Sequence, residues 1–419
     1  MIRILYSLFF YLAVPLVLFR VYWRARKEPR YRQNLSQRFG FCPRLSGDNL
    51  VWVHAVSAGE SIAAVPLIKE LLKAGRQVVV TNMTPTGREQ IERMLGDQVT
   101  NCYAPYDLPG AVQRFLRRCR PRALVIIDTE LWPNMLHYAH RQGVQILLVN
   151  ARLSARSAAG YQRIKNLSQG MLSNIDVVAA QSAEQGQRFV ALGLDRARLH
   201  VTGSIKFDAS QAADLEQRAA EFSQLLGPRL IVVAGSTHPG EEQMLLDALH
   251  PLMQAQPELL LVLAPRHHYR ADRVEHLCQA MGLVTVRRSS NLGCSPQAKV
   301  YLLDTMGELG YFYPIADITF VGGSLVPVGG HNPMEPASHG KPVIMGQYLR
   351  NIGDIVELFI RNGGLLRVES PAELASALLS LCQSADQRQQ LGAAALRTMT
   401  ENRGALQLTL HLIDAALRE

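Results

Sequence analysis

Short β-branched runs alternate with longer helix-patterned stretches along almost the whole chain, and this alternation dictates βαβ units built around parallel sheets. In the first half, segments 50–56, 77–84, 123–128, 145–150 and 176–181 read as strands. A second series runs through 230–234, 259–264, 300–303, 318–321 and 342–345. Between the two series, 206–229 is polar and helical in pattern and contains no strand. A length of 419 residues exceeds one ordinary core, so the two series read as two Rossmann-like domains facing a ligand cleft. The expected division is a membrane helix at 1–22, a first domain at 23–208, a linker at 209–228 and a second domain at 229–386. A helical tail at 387–419 is able to pack back on the first domain.

The N-terminus limits where such a chain works. Segment 4–19 carries no charge, and Arg20, Arg24, Arg26, Lys27, Arg30, Arg32 and Arg38 follow it against the single acid Glu28. The formal charge of +9 suits nucleic acid, an anionic membrane or a multiply anionic substrate. Arginines crowded behind an apolar run favour the membrane and disfavour nucleic acid. The run is shorter than the ~20 residues of a perpendicular span, and no small-residue cleavage site follows it, so it reads as retained. Whether it spans or lies in the interface, the basic flank keeps the body of the protein cytoplasmic. The stretch Arg114 to Arg122 reads as a solvated helix end or a face toward lipid phosphates. Six cysteines without CxxC spacing read as unlinked thiols.

In parallel sheets, ligands collect at the carboxyl ends of the strands. There the chain places His54, Ser57, Gly59, Glu60 and Ser61, with Glu60 a plausible general base and Gly59 allowing close backbone approach. Position alone favours Glu60 as a dipole-stabilising residue of a first helical turn. Thr129 to Asn134 follow the strand ending at Asp128. Glu130 faces Glu60 on one reading and is a capping charge on the other, with Trp132 a packing anchor. Arg152, Arg156 and Lys206 follow later strands and suit anionic substrates. In the second series, Pro265 and Arg266 follow a strand, where a guanidinium grips a phosphate well. Gly322, Gly323, Gly329 and Gly330 permit unusual backbone angles, Asn332 and Pro333 open a helix whose amides suit phosphate, and Glu335 can bind ribose hydroxyls.

The strings HAVSAGE, TELWPN, NARLS, GSIKFD, APRH, MGELG and GGHNPMEPA occur in this order, and together they resemble the Kdo (3-deoxy-D-manno-octulosonic acid) transferase family of lipopolysaccharide synthesis. The resemblance implies an α/β GT-B fold with an acceptor domain followed by a CMP-Kdo-binding domain. It also implies transfer to the lipid A precursor (lipid IVA) at the cytoplasmic face of the inner membrane, where anionic lipids are partners. By motif, Glu60 resembles the base, and Glu130 and Lys206 resemble transition-state stabilisers. The CMP pocket implied comprises Pro265, Arg266, Met306, Gly307, Glu308, Asn332, Pro333, Met334 and Glu335. The chain contains no DxD, and inverting transfer from a donor with one phosphate is expected to need neither metal nor cofactor. The competing readings are a nucleotide-sugar epimerase of the same fold and a basic membrane scaffold. A dehydrogenase lacks support, because no GxGxxG follows a strand.

Overall fold

The computed structural model describes residues 2–26, 28–45, 47, 49–208, 212–350 and 352–418. Lys27 of the basic cluster, and 209–211 at the start of the expected linker, lie outside the described residues. The chain forms two compact units, Met1–Ser210 with Asn402–Glu419 and Gln211–Glu401.

The first unit holds β1 (Leu50–His54), β2 (Gln77–Asn82), β3 (Thr100–Tyr103), β4 (Ala123–Ile127), β5 (Gln145–Ala151), β6 (Val177–Ala180) and β7 (Leu199–Val201). Its sheet runs β3-β2-β1-β4-β5-β6-β7, with every pair parallel. Side chains alternate across it as the strand period requires. Leu50 and Trp52 of β1 enter the core on one face, and Val51 and Val53 enter the core on the other. Burial on both faces is why β4 reads as an uninterrupted apolar run and β1 as one up to its last residue, His54.

The second unit holds β8 (Leu230–Thr237), β9 (Leu259–Pro265), β10 (Thr285–Arg287), β11 (Val300–Leu302), β12 (Ile318–Val321), β13 (Val343–Met345) and β14 (Leu366–Arg367). Its order is β10-β11-β9-β8-β12-β13-β14, again all parallel. The helix Leu215–Leu226, within the stretch expected as linker, belongs to this unit and stacks Phe222 on Phe312 at 4.4 Å.

The helix Ala385–Glu401 stays with the second unit, whereas Ala405–Arg418 joins the first. The Asp208 carboxylate caps that last helix, accepting from the Gly404 and Leu406 amides at 2.7 Å each. Ile205 is buried between Ala63 and Ala405. The turn bearing Lys206 is therefore clamped to the helix Ala58–Lys73, which carries Glu60.

A single helix, Ile2–Arg24, covers the charge-free segment and is long and apolar enough to cross a membrane. One side rests on the first unit, where Phe10, Val14 and Val17 pack against Tyr106, Leu108 and Ala111. Ser7 and Arg3 donate to the Asn134 Oδ1 at 3.1 and 2.8 Å. The opposite side exposes Leu5, Leu8, Phe9, Leu12, Leu16 and Phe19. Behind it the arginines are not uniformly free. Arg38 is buried over the Tyr103 ring and donates to the Met83 carbonyl, and Arg30 pairs with Glu89 at 2.7 Å. The cysteines are thiols, although Cys42 and Cys119 lie only 3.1 Å apart.

Candidate active site

Because every strand of a sheet runs the same way, the loops after β1, β4 and β5 share one edge. At that edge Glu60 ends a capping box. Ser57 caps the helix by accepting from the Glu60 amide, and the Glu60 carboxylate accepts from the Ser57 hydroxyl at 2.6 Å and the Val56 amide at 2.7 Å. Burial, reinforced by the Asp128 charge, raises its pKa against these bonds. Glu130 accepts from the Trp132 indole at 2.9 Å. Burial lifts its pKa to about 7, with the Glu60 and Asp128 charges adding to the rise. The Glu60, Asp128 and Glu130 carboxylates thus share one field, in which burial raises the proton affinities of Glu60 and Glu130.

Asp128 carries the backbone strain of the site. Its φ is +61°, and Asn150 beside it has φ +54°, both uncommon for non-glycine residues. The Asn150 amide donates to Asp128, while its Oδ1 accepts from the Ser204 hydroxyl and the Ile205 amide at 3.1 and 3.2 Å. A hydrogen-bonded path therefore links the acidic cluster to the turn bearing Lys206. Lys206 is half-buried, and Arg152 is spent on Asp128 at 3.2 Å.

Three neighbouring residues take structural places. His54 is a core residue, fully buried against Thr81 and Trp132, and burial drives its pKa down to about 3. Gly59 has no close backbone neighbour, since a Cβ there would meet nothing nearer than the Ser57 hydroxyl at 4.0 Å. Asn134 serves the N-terminal helix, while Asp107, unremarked in the sequence, accepts from the Asn134 and Met135 amides at 3.0 and 2.7 Å.

In the second unit, the expected nucleotide residues line up along neighbouring strand ends. Met306, Gly307 and Glu308 follow β11, Pro265 ends β9 with Arg266 exposed after it, and Asn332, Pro333, Met334 and Glu335 follow β12. Glu308 is already committed, bonding both Arg218 and Arg288 at 2.9 Å. The helix opened by Pro333 is a single turn, Met334–Ser338, and the Asn332 side chain occupies its Met334 amide at 3.0 Å. It offers phosphate less than a full helix terminus does.

The sequence reading passed over the loop between these groups, G-S-T-H-P-G-E-E at 235–242. Ser236 has φ +56°. Gly322 approaches it so closely that a Cβ there would lie 2.4 Å from the Ser236 carbonyl oxygen. Glu241, with no solvent exposure, accepts amide hydrogens from His238, Gly323, Ser324 and Leu325 at 2.8 to 3.0 Å. Glu242 binds Arg270 through both oxygens and accepts from the Thr237 hydroxyl. One visible signal was its position directly after the first strand of its series, the place HAVSAGE holds in the first unit. Among the described residues no group of three or more His, Cys, Asp or Glu side chains is placed to hold a metal ion.

Comparison with known proteins places these motifs in context. The family described as 3-Deoxy-D-manno-octulosonic-acid transferase (kdotransferase) matches residues 33–209. The 3-deoxy-D-manno-octulosonic acid transferase of Haemophilus influenzae is 39% identical over 99% of both chains. That of Bordetella pertussis is 36% identical over 87% of this chain and 86% of its own. Among solved structures, UDP-GlcNAc 2-epimerase of Neisseria meningitidis covers 87% of this chain and 99% of its own at TM-score 0.61 and 14% identity. A glycosyltransferase of Rickettsia africae covers 88% of this chain and 98% of its own at TM-score 0.56 and 16% identity. These two likenesses are of fold.

Proposed function

Because the chain belongs to the 3-deoxy-D-manno-octulosonic acid transferase family, we propose that it moves Kdo from CMP-Kdo to a hydroxyl of the lipid A precursor with inversion, Glu60 acting as base. The observation that carries the catalytic part is the grouping of Glu60 and Glu130 with Asp128 at one sheet edge, where burial pushes the proton affinities of Glu60 and Glu130 upward. A carboxylate poised closer to neutrality is a more effective proton acceptor than a solvated one. Glu60 takes the acceptor proton as the hydroxyl oxygen attacks the anomeric carbon. Lys206 offsets negative charge developing in the transition state, and Glu130 tunes the field around the reacting atoms. The second unit binds the CMP part through Arg266 and the loops after β11 and β12. The epimerase alternative has likeness of fold alone behind it, and a scaffold has no use for the carboxylate group.

Cationic side chains and backbone amides take the charge of the departing phosphate, so we expect transfer without a metal. Excess EDTA leaves the rate unchanged, and CMP but not UMP inhibits competitively against the donor. A rate lost in EDTA and restored by a divalent ion contradicts the first expectation, and equal inhibition by both nucleotides contradicts the second.

The protein attaches to the cytoplasmic face of the inner membrane through the exposed stripe of Ile2–Arg24, on which Leu12 is 75% exposed. The double change Leu12→Glu, Leu16→Glu is expected to move most of the protein from the membrane pellet to the supernatant while the purified enzyme stays folded. Unchanged sedimentation overturns the role of that stripe.

A further inference from the structure

Three imidazoles stand on adjacent strand ends of the second unit. His238 follows β8, His267 follows β9 and His331 follows β12. The chain order of the sheet reverses at β8, which has β9 on one side and β12 on the other, and such a reversal opens a crevice for ligands at the carboxyl edge. The Nε2 atoms of His238 and His331 are 2.9 Å apart, with ring planes within 8° of parallel. One imidazole must donate to the other, so the contact holds one proton between two nitrogens. The His267 ring meets His238 edge to face at 5.9 Å.

The pair is built rather than incidental. Glu241 fixes the His238 amide and the Gly323 to Leu325 amides with one buried carboxylate, which ties the two loops together. Gly323 packs against the His331 ring, where a Cβ would sit 3.0 Å from Cδ2. Both imidazoles remain half-buried and reachable from solvent. The expected phosphate ligand Arg266 leaves the adjacent strand β9.

We propose that His238 and His331 form one proton-sharing pair that binds the phosphate of the nucleotide donor, taking up a proton as the phosphate arrives. This rests on the CMP-sugar reading given above. As the bond between the sugar anomeric carbon and the phosphate oxygen breaks, its electron pair stays on that oxygen. The acceptor oxygen bonds to the carbon, and the acceptor proton goes to Glu60. The imidazolium N–H donates to the phosphate as its charge grows, and its proton returns to solvent when the nucleotide leaves. The groups facing the pair agree with this cycle. Burial first, then His267, Arg266 and Arg270, lower the proton affinity of His238, with Glu242 acting oppositely. Burial, His238, Arg266 and His267 bring His331 down to about 4. The empty pair is therefore uncharged at neutral pH, and the negative charge of the donor phosphate, single on the intact donor and double on the released nucleotide, reverses the local field and draws a proton in.

The test is calorimetric titration of the full-length enzyme with CMP at pH 7.5, in buffers of different ionisation heat, with His238→Gln, His331→Gln and the double variant. At this pH the CMP phosphate, with a second pKa of about 6, is almost fully ionised. Wild type is expected to take up most of a proton per CMP. Each single variant binds about tenfold to a hundredfold more weakly with little uptake, and the double variant is no worse than either single one. Imidazole 15N resonances of the wild type, which require no variant to fold, move toward the protonated position on adding CMP. CMP binding by wild type without proton uptake or resonance shift overturns the pair alone, as do variants that bind with wild-type affinity and uptake. A folded wild type that does not bind CMP overturns the donor reading, and the pair with it.

Discussion

Replacing Glu60 with glutamine is expected to lower kcat by about 10³-fold, within the range a positioned general base contributes, with CMP affinity unchanged. The size of that loss separates two roles that the geometry combines. Glu60 closes a capping box, accepting from Ser57 and Val56, and loss of such a cap costs about 1 kcal/mol of stability. Glutamine keeps one acceptor oxygen but turns an amide toward a donor, so some of this cost appears in the unfolding midpoint. A residue that only capped the helix would show that cost with kcat nearly intact. Because burial raises the Glu60 pKa, kcat of the wild type rises with pH through that elevated value and levels off above it. Unchanged turnover in Glu60→Gln, measured under saturating donor and acceptor, removes Glu60 from the chemistry.

Glu130→Gln is expected to trade activity for stability, losing about 10²-fold in kcat while unfolding at higher denaturant at pH 8. The Glu130 pKa rises on folding from 4.5 to about 7, so the folded state binds this proton more tightly than the unfolded state. Ionisation then costs the fold about 3 kcal/mol in full, and partial solvent contact screens this to about 1–2 kcal/mol. The cost is complete above pH 7, declines as pH falls and is absent below 4.5. The stability advantage of glutamine follows the same course, large at pH 8 and gone at pH 4. Equal stability of the two proteins at pH 8 in urea unfolding contradicts the buried-charge account of this site.

The interior of both sheets is legible in the sequence because strands buried on two faces are apolar throughout, as in β4 and β9. The four strands with no counterpart in that reading, β3, β7, β10 and β14, are the four sheet edges. They are two to four residues long and only partly buried, so no apolar run marks them. The same distinction governs the site. Glu60 and Glu130 stand out in the sequence because they closely follow interior strands. The 235–242 loop does too, yet its role depends on Glu241 reaching the amides of residues 323–325, a partnership that sequence spacing does not display. Arg38 reads as one more surface charge in a basic run, and only the fold reveals the aromatic rings that bury it.

The most direct measurement is mass spectrometry of the lipid after the purified enzyme has been incubated with freshly made CMP-Kdo and tetraacyl lipid A precursor. The predicted result is acceptor heavier by whole Kdo units, with CMP released in equal number. An acceptor of unchanged mass, from a folded enzyme that consumes CMP-Kdo, contradicts the assigned acceptor; intact donor and unchanged lipid together contradict the transfer itself.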